Sequence, residues 1–163
     1  MPEPDLGDFA VAQDGPMYVV TAAADGQRAG CLVGFASQCS IDPPRFVVWL
    51  SVENHTYGVA RRARYLTVHV LRREQKALAR LFGGRTGDRT DKFAGIGWRP
   101  GREGSPVLTG VAAWFTGRIE AVVAGGDHEG FLLAPVEDEQ PAPGPAHPLR
   151  FGDVRDLEAG HPA

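Results

Sequence analysis

The chain has 163 residues, 43% of them apolar and 23% charged, which suits a single domain that buries about two-thirds of its unfolded surface. A formal net charge of −3 gives no electrostatic reason for a nucleic acid or an anionic membrane as partner. No uncharged apolar run of about 18 residues is present to span a bilayer, and 21 glycines with 13 prolines predict turns and short elements rather than a helical bundle.

Residues 1–16 contain Pro2, Pro4, Gly7, Gly15 and Pro16 and read as an extended N-terminal arm, with a weak apolar patch at Leu6, Phe9 and Val11. The arm lacks the basic start and apolar run of a signal peptide, so a cytoplasmic location is the expectation. Met17 to Thr21 is strand-like, Asp25-Gly26 marks a turn, and Arg28 to Phe35 is the returning strand. Phe46 to Val52 is a nearly continuous apolar run, predicted as a central strand buried on both faces. Thr56 is placed to cap a short helix over residues 57–62, and Arg61-Arg62-Ala63-Arg64 reads as its solvated end. Tyr65 to Leu71 alternates, with Tyr65, Thr67, His69 and Leu71 on one face and Leu66, Val68 and Val70 on the other.

Ala77, Leu78, Leu81 and Phe82 recur at helical spacing, predicting a helix over 74–82 that Gly83-Gly84 ends. Residues 83–106 form a long Gly- and charge-rich excursion anchored by Phe93, Ile96 and Trp98. Val111 to Val123 reads as one long strand with a bulge or bend at Gly117. Gly125 to His128 reads as a loop, Phe131 to Val136 as the last strand, and 137–163 as a peripheral Pro-rich tail in which Leu149-Arg150-Phe151 can dock. Six strands with one good helix between them predict a mainly β protein, an antiparallel barrel or coiled sheet over residues 17–136 with short helices. Absence of regular strand–helix alternation argues against a doubly wound sheet.

Familiar chemical motifs are missing. Gly83-Gly84-Arg85-Thr86-Gly87 follows a helix and has the wrong spacing for a dinucleotide loop. The five histidines, at 55, 69, 128, 147 and 161, never take H-E-x-x-H spacing, and no C-x-x-C occurs, so no metal site is expected. Ser37 and Ser40 sit outside any G-x-S-x-G. Cys31 and Cys39 read as two reduced core residues, and Cys39 has no neighbouring charge that would make it a redox thiol.

The stretch from Gly30 to Thr56 carries more. Small polar residues and the Pro43-Pro44 pair separate two strand-like runs, leaving amides and hydroxyls beside an apolar sheet. That surface suits a flat ring with a polar edge and a phosphate tail, as in a flavin site. The order of blocks is telling: Gly30 to Pro44 with its Ser40-Ile41-Asp42-Pro43-Pro44 ending, the apolar Phe46–Ser51 strand, and Asn54-His55-Thr56. Tyr65–Leu71, Glu74–Phe82, Asp91-Lys92-Phe93, Ser105–Leu108 and Gly126-Asp127-His128 follow. Together these resemble the flavin reductase-like family of FMN-binding split barrels, over about residues 17–136.

The resemblance implies a homodimeric split barrel that binds FMN (FAD being the alternative flavin) near the subunit interface. It further implies NAD(P)H-dependent flavin reduction, by hydride transfer from nicotinamide to flavin N5. The reduced flavin would pass to a partner monooxygenase or reduce a small-molecule substrate; the alternative is a non-catalytic FMN-binding or electron-transfer protein. Leu32, Val33 and Gly34 stand where the family approaches the flavin, but Leu32 and Gly34 replace the hydroxyl or amide often found there, leaving recognition to the backbone. Gln38, Cys39 and Ser40 either display amides to the ring edge or form a capped turn. Asn54, His55 and Thr56 read locally as an N-cap or a small anion site, and the resemblance makes them a flavin phosphate contact that Ser51 can reach. Arg89 and Lys92 are a solvated charge pair or, by family-like placement, one of them is a second phosphate clamp. Phe82 packs either on the flavin or on the core. His128 is a surface-loop histidine or, by the family's Gly-Asp-His motif, lines the nicotinamide side, with Asp127 or Glu129 orienting its ring.

Overall fold

A computed structural model describes residues 2–84, 91–139 and 147–157. Its strands are β1 (Tyr18–Ala24), β2 (Gln27–Val33), β3 (Ala36–Ser40), β4 (Arg45–Ser51), β5 (Tyr65–Val70), β6 (Trp98–Pro100), β7 (Pro106–Leu108), β8 (Ala113–Ala124) and β9 (His128–Glu139). The helices are α1 (Gly7–Gln13), α2 (His55–Ala60) and α3 (Lys76–Gly83). Seven strands form one sheet in the order β2-β1-β5-β8-β9-β4-β3, and β6 pairs with β7 apart from it. Every pairing is antiparallel.

Local chemistry explains several of these elements. Asp25 and Gly26 both take positive φ, 52° and 76°, the two-residue turn that matches strand twist, and it aligns β1 with β2 from Tyr18↔Val33 to Ala24↔Gln27. The register of β8 against β9 slips between Thr116 and Gly117, at the glycine where the sequence predicts a bulge. A Cβ there would lie 2.7 Å from the Leu133 Cβ, so the bend needs glycine.

Alternation divides the core. Val20, Ala29, Cys31, Val48, Leu50, Leu66, Val68, Phe131 and Leu133 face inward and fill the curled sheet, with Val59 and Ala60 of α2 closing it. Val19, Leu71, Phe82, Phe93, Leu108 and Leu149 form a second cluster on the outer face of β1 and β5, beneath α3 and the 91–108 excursion. Hydroxyls satisfy the polar part of that outer face. Thr67 Oγ1 lies 3.0 Å from Ser105 Oγ and 2.8 Å from Thr116 Oγ1, and Thr21 donates to the Pro106 carbonyl. His69, fully buried, joins three strands: its Nδ1 meets the Val19 carbonyl at 2.9 Å and its Nε2 accepts the Leu108 N–H at 3.0 Å. Both nitrogens are committed to the neutral ring, and burial pushes the pKa down to about 4.

The structure departs from the sequence reading at several points. The arm is not extended throughout, since α1 forms within it. Nine strands occur among the described residues against the six expected; β3, β6 and β7 are short and polar or Pro-bounded, with little periodicity. β4 is buried on one face, at Val48 and Leu50, while Phe46, Val47 and Trp49 are only half-buried. His128 opens β9 rather than ending a loop, and β9 runs on to Glu139, into the segment assigned to the tail. Leu149 does dock, fully buried, with its N–H on the Leu71 carbonyl. Cys39 is exposed, not a core residue, and Cys31 is buried; both are free thiols. No described helix is long and apolar enough to cross a membrane.

His69 predicts a pH dependence. Its folded pKa of about 4 lies below the ordinary 6.5, so the unfolded chain binds the proton first as pH falls. The stabilisation is complete above 6.5 and is lost on descending towards 4, amounting to about 3 kcal/mol by linkage. Urea unfolding between pH 7 and pH 4.5 measures it, and in His69→Leu that part of the slope disappears.

Candidate functional site

The sheet begins with β2 and ends with β3, two strands consecutive in sequence and joined only by Gly34 and Phe35. At this unpaired seam lies a cleft of about 440 Å³, with Leu32, Val33, Gly34 and Phe35 on one side and Trp49, Leu50, Ser51 and Asn54 on the other. His128 reaches it from β9, and Ala10, Gln13, Met17 and Phe151 line it from the two ends of the chain. Its volume is in the small-ligand range.

Strand register assembles the polar end. Ser51 of β4 is paired with His128 of β9, and the Val52 N–H donates to the Asp127 carbonyl at 3.0 Å. The His128 Nδ1 lies 2.7 Å from Asp127 Oδ1, which sets the proton on Nδ1 in the neutral ring and leaves Nε2 as acceptor. The same imidazole leans on Phe35, with ring centroids 5.1 Å apart. Of the two carboxylates weighed for orienting it, Asp127 does so, while Glu129 accepts the Tyr57 hydroxyl at 2.9 Å.

Apolar residues make the walls. The Trp49 indole lies over the backbone of Gly125 and Gly130; a Cβ on either would come within 2.5 or 2.8 Å of its ring. Cys31 lines the cleft but is only 2% exposed. Burial pushes its thiol pKa up, against smaller opposing effects of the Lys92 charge and hydrogen bonds with Thr56 and Asn54. It is a packing residue, not a nucleophile.

The structure therefore brings together Leu32, Val33, Gly34, Ser51, Asn54 and His128 of the residues singled out in the sequence. Others it places elsewhere. Asn54, not Thr56, caps α2: its Oδ1 accepts the Thr56 N–H at 2.8 Å. Thr56 is 1% exposed, its N–H is taken up by that cap, and it is not among the residues that line the cleft; His55 is half-buried beside it in the first turn of α2. Gln38, Cys39 and Ser40 lie on the edge strand β3, away from the cleft, and Gln38 borders a separate cavity of about 660 Å³ at the end of the barrel. Phe82 belongs to the core: a Cβ on Gly30 would lie 2.7 Å from its ring. Lys92 is 5% exposed, and its Nζ donates to the Gly30 and Phe82 carbonyls at 2.9 and 3.0 Å. It fastens α3 to β2 through these two bonds. Arg89 lies outside the described residues. Phe35, Trp49, Met17, Gln13 and Phe151 are cleft residues that the sequence reading did not select; of these, Phe35 in the Gly30–Pro44 block and Trp49 in the Phe46–Ser51 strand carried a local signal.

The donor set can be tested against a flavin. Leu32, Phe35 and Trp49 offer flat apolar surface for a ring system, and Ser51, Asn54 and His128 offer neutral polar groups at one end. No lysine or arginine lines the cleft among the described residues. The set fits the ring well, and it meets the tail with dipoles.

An antiparallel barrel split along one seam, with a cleft opening at the split, is the architecture of the FMN-binding split barrels. The chain belongs to the flavin reductase-like domain family, whose sequence profile matches residues 13–156. It is 34% identical over 157 residues to HsaB, the reductase subunit of a flavin-dependent monooxygenase of Mycobacterium tuberculosis, covering 94% of this chain and 79% of that protein. The corresponding subunit of Rhodococcus jostii is 33% identical over 123 residues, 76% of this chain and 60% of its own length. The chain spans only 38% of a further relative, from Rhizobium meliloti. Among solved structures, an FMN-binding protein of Thermus thermophilus with bound 1-cyclohex-2-enone superposes with a TM-score of 0.81. Its sequence is 25% identical, and the match covers all of this chain (100%) and 94% of that one.

Lys92→Met tests the reassignment of that lysine. It leaves two buried carbonyls without their donor and is expected to cost about 1–3 kcal/mol in denaturant unfolding, while FMN affinity measured on the folded variant stays at the wild-type value. A large loss of FMN affinity at unchanged stability would return Lys92 to the site.

Proposed function

We propose that the protein is an NAD(P)H-dependent flavin reductase that binds FMN at the seam and supplies reduced flavin to a partner monooxygenase. The observation that carries this reading is the register pair Ser51↔His128, which sets a ring-orienting histidine beside the polar end of an apolar cleft. The related reductase subunits of monooxygenases support it. A cytoplasmic homodimer with its site near the subunit interface belongs to the same proposal.

When bound, the flavin supplies the acceptor for a hydride from nicotinamide. The chain's own contribution is placement. Phe35 and Trp49 limit the ring to one plane, Ser51 and Asn54 hold its polar extension, and the apolar walls keep water from the ring. His128 Nε2 can accept from a carboxamide N–H, so its work is to orient the incoming nicotinamide. No proton need pass through it.

A second reading is favoured by one comparison. The Thermus FMN-binding protein matches the whole chain, and Leu32 and Gly34 offer no side-chain hydrogen bond to a ring edge. A flavin-holding or electron-transfer protein without efficient turnover would share this cleft.

Anaerobic mixing of FMN-loaded protein with NADH or NADPH separates the two. The reductase reading expects the absorption band of oxidised flavin to bleach. His128→Ala should slow the bleaching by about tenfold, the effect of one lost positioning contact, with little change in FMN affinity. Bleaching by chemical reductants but by neither nicotinamide would establish the binding protein instead.

A further inference from the structure

The seam cleft has an outer wall that the flavin reading does not use. The two ends of the chain meet there. The N-terminal α1 presents Ala10 and Gln13 to the cleft, and Phe151 faces it from the C-terminal segment. Helix α1 has no buried residue, and Leu6 and Phe9 on it and before it are 71% and 65% exposed. Packing therefore does not hold it in place.

What holds it is a clasp centred on Asp14. This residue ends α1 in the left-handed region, at φ 44° and ψ 51°, a conformation that aspartate tolerates better than most residues. Its Oδ1 accepts the Gly152 N–H at 2.7 Å, and its carbonyl accepts from the Arg150 guanidinium at 3.2 Å. The Phe151 N–H donates to the Gly15 carbonyl at 2.8 Å. Gly152 is closely fitted, since a Cβ there would lie 3.0 Å from the Asp14 carboxylate oxygen. Below the clasp the chain is fixed: Met17 donates to the Leu149 carbonyl at 2.9 Å, and both residues are core. Asp14 is thus the joint between a firmly seated strand and a helix with few other attachments.

We propose that α1 and residues 150–152 form a hood over the cleft, that Asp14 pins it shut, and that the pinned hood slows exchange of the bound flavin. Gln13 and Phe151 both line the cleft and offer it an amide and an aromatic ring. This rests on the flavin reading above and adds a control on residence time, which decides whether flavin behaves as a resident group or as a passing substrate. Asp14 acts through the position of α1 and is a positioning residue.

The test follows FMN release from the full-length protein by recovery of flavin fluorescence on dilution. It compares wild type with Asp14→Gly, Asp14→Ala and Asp14→Asn. Glycine keeps the left-handed backbone and removes the carboxylate; asparagine keeps both the conformation and an acceptor oxygen for Gly152. Release should be about tenfold faster in Asp14→Gly and Asp14→Ala, as for loss of one charge-assisted hydrogen bond, and at the wild-type rate in Asp14→Asn. Hydrogen exchange of the amides of residues 7–13 gives a second readout: FMN should slow it in wild type and Asp14→Asn, and not in Asp14→Gly. Equal release rates in all four proteins would overturn the proposal, as would absence of FMN protection in wild-type α1, which needs no variant to fold. If wild type takes up no FMN at all, the flavin reading fails first and the hood's role falls with it. Uptake with unchanged release leaves the flavin reading standing and removes only the hood.

Discussion

A sheet whose first and last strands are neighbours in sequence but do not pair is the constraint on which the rest depends. β2 and β3 are separated by two residues, yet β2 bonds only to β1 and β3 only to β4. The curled sheet brings β2 across from β4 without a ladder between them. An open seam exposes backbone edges, which proteins generally cover or use. Here the gap holds a cleft. The cleft follows from it, since its two long walls are the residues on either side of the split.

An open seam needs a rigid frame, and the outer layer provides one. Phe82 sits where a side chain on Gly30 would otherwise be, Lys92 ties the end of α3 to β2 through two carbonyls, and His69 joins β1 to β7 across β5. The Thr67–Ser105–Thr116 hydroxyls complete the layer. These are buried, fully partnered polar contacts, and their value lies in the cost of losing one partner. β2 and β1 are thereby fixed from behind, while the opposite wall, β4 with α2, is fixed by pairing to β9. Helix α1 is the exception, with no buried residue of its own.

Much of this frame was legible in the residues. Alternation in Tyr65–Leu71 separated the two faces of β5 correctly, because one face is core and the other meets the outer layer. Asp25-Gly26 specified its hairpin and Gly117 its bulge. β3 was not legible: Ala36–Ser40 is a mostly exposed edge strand, and nothing in its pattern announces a partner. Among the residues that line the cleft, Ser51, Asn54 and His128 stand out in the sequence through an ordered set of short blocks, not through any one motif. Thr56 was given the cap because a hydroxyl two positions along is as good a local signal as the Asn54 amide. Lys92 looked solvated because burial of a lysine depends on α3 and β2 meeting around it. Trp49 was missed for a related reason: its seat is a pair of glycines far along the chain.

That seat has a spectroscopic consequence. The chain contains three tryptophans, and they occupy different worlds. Trp98 lies in the outer layer, with the Arg28 guanidinium 4.9 Å from its ring. Trp114 borders the cavity at the barrel's end, where its indole N–H donates to Glu139. Trp49 alone of the three lines the cleft. Its emission is therefore a natural internal gauge of the cleft's contents, with the other two serving as an unchanging background. A single Trp49→Phe replacement identifies which part of the signal belongs to the site.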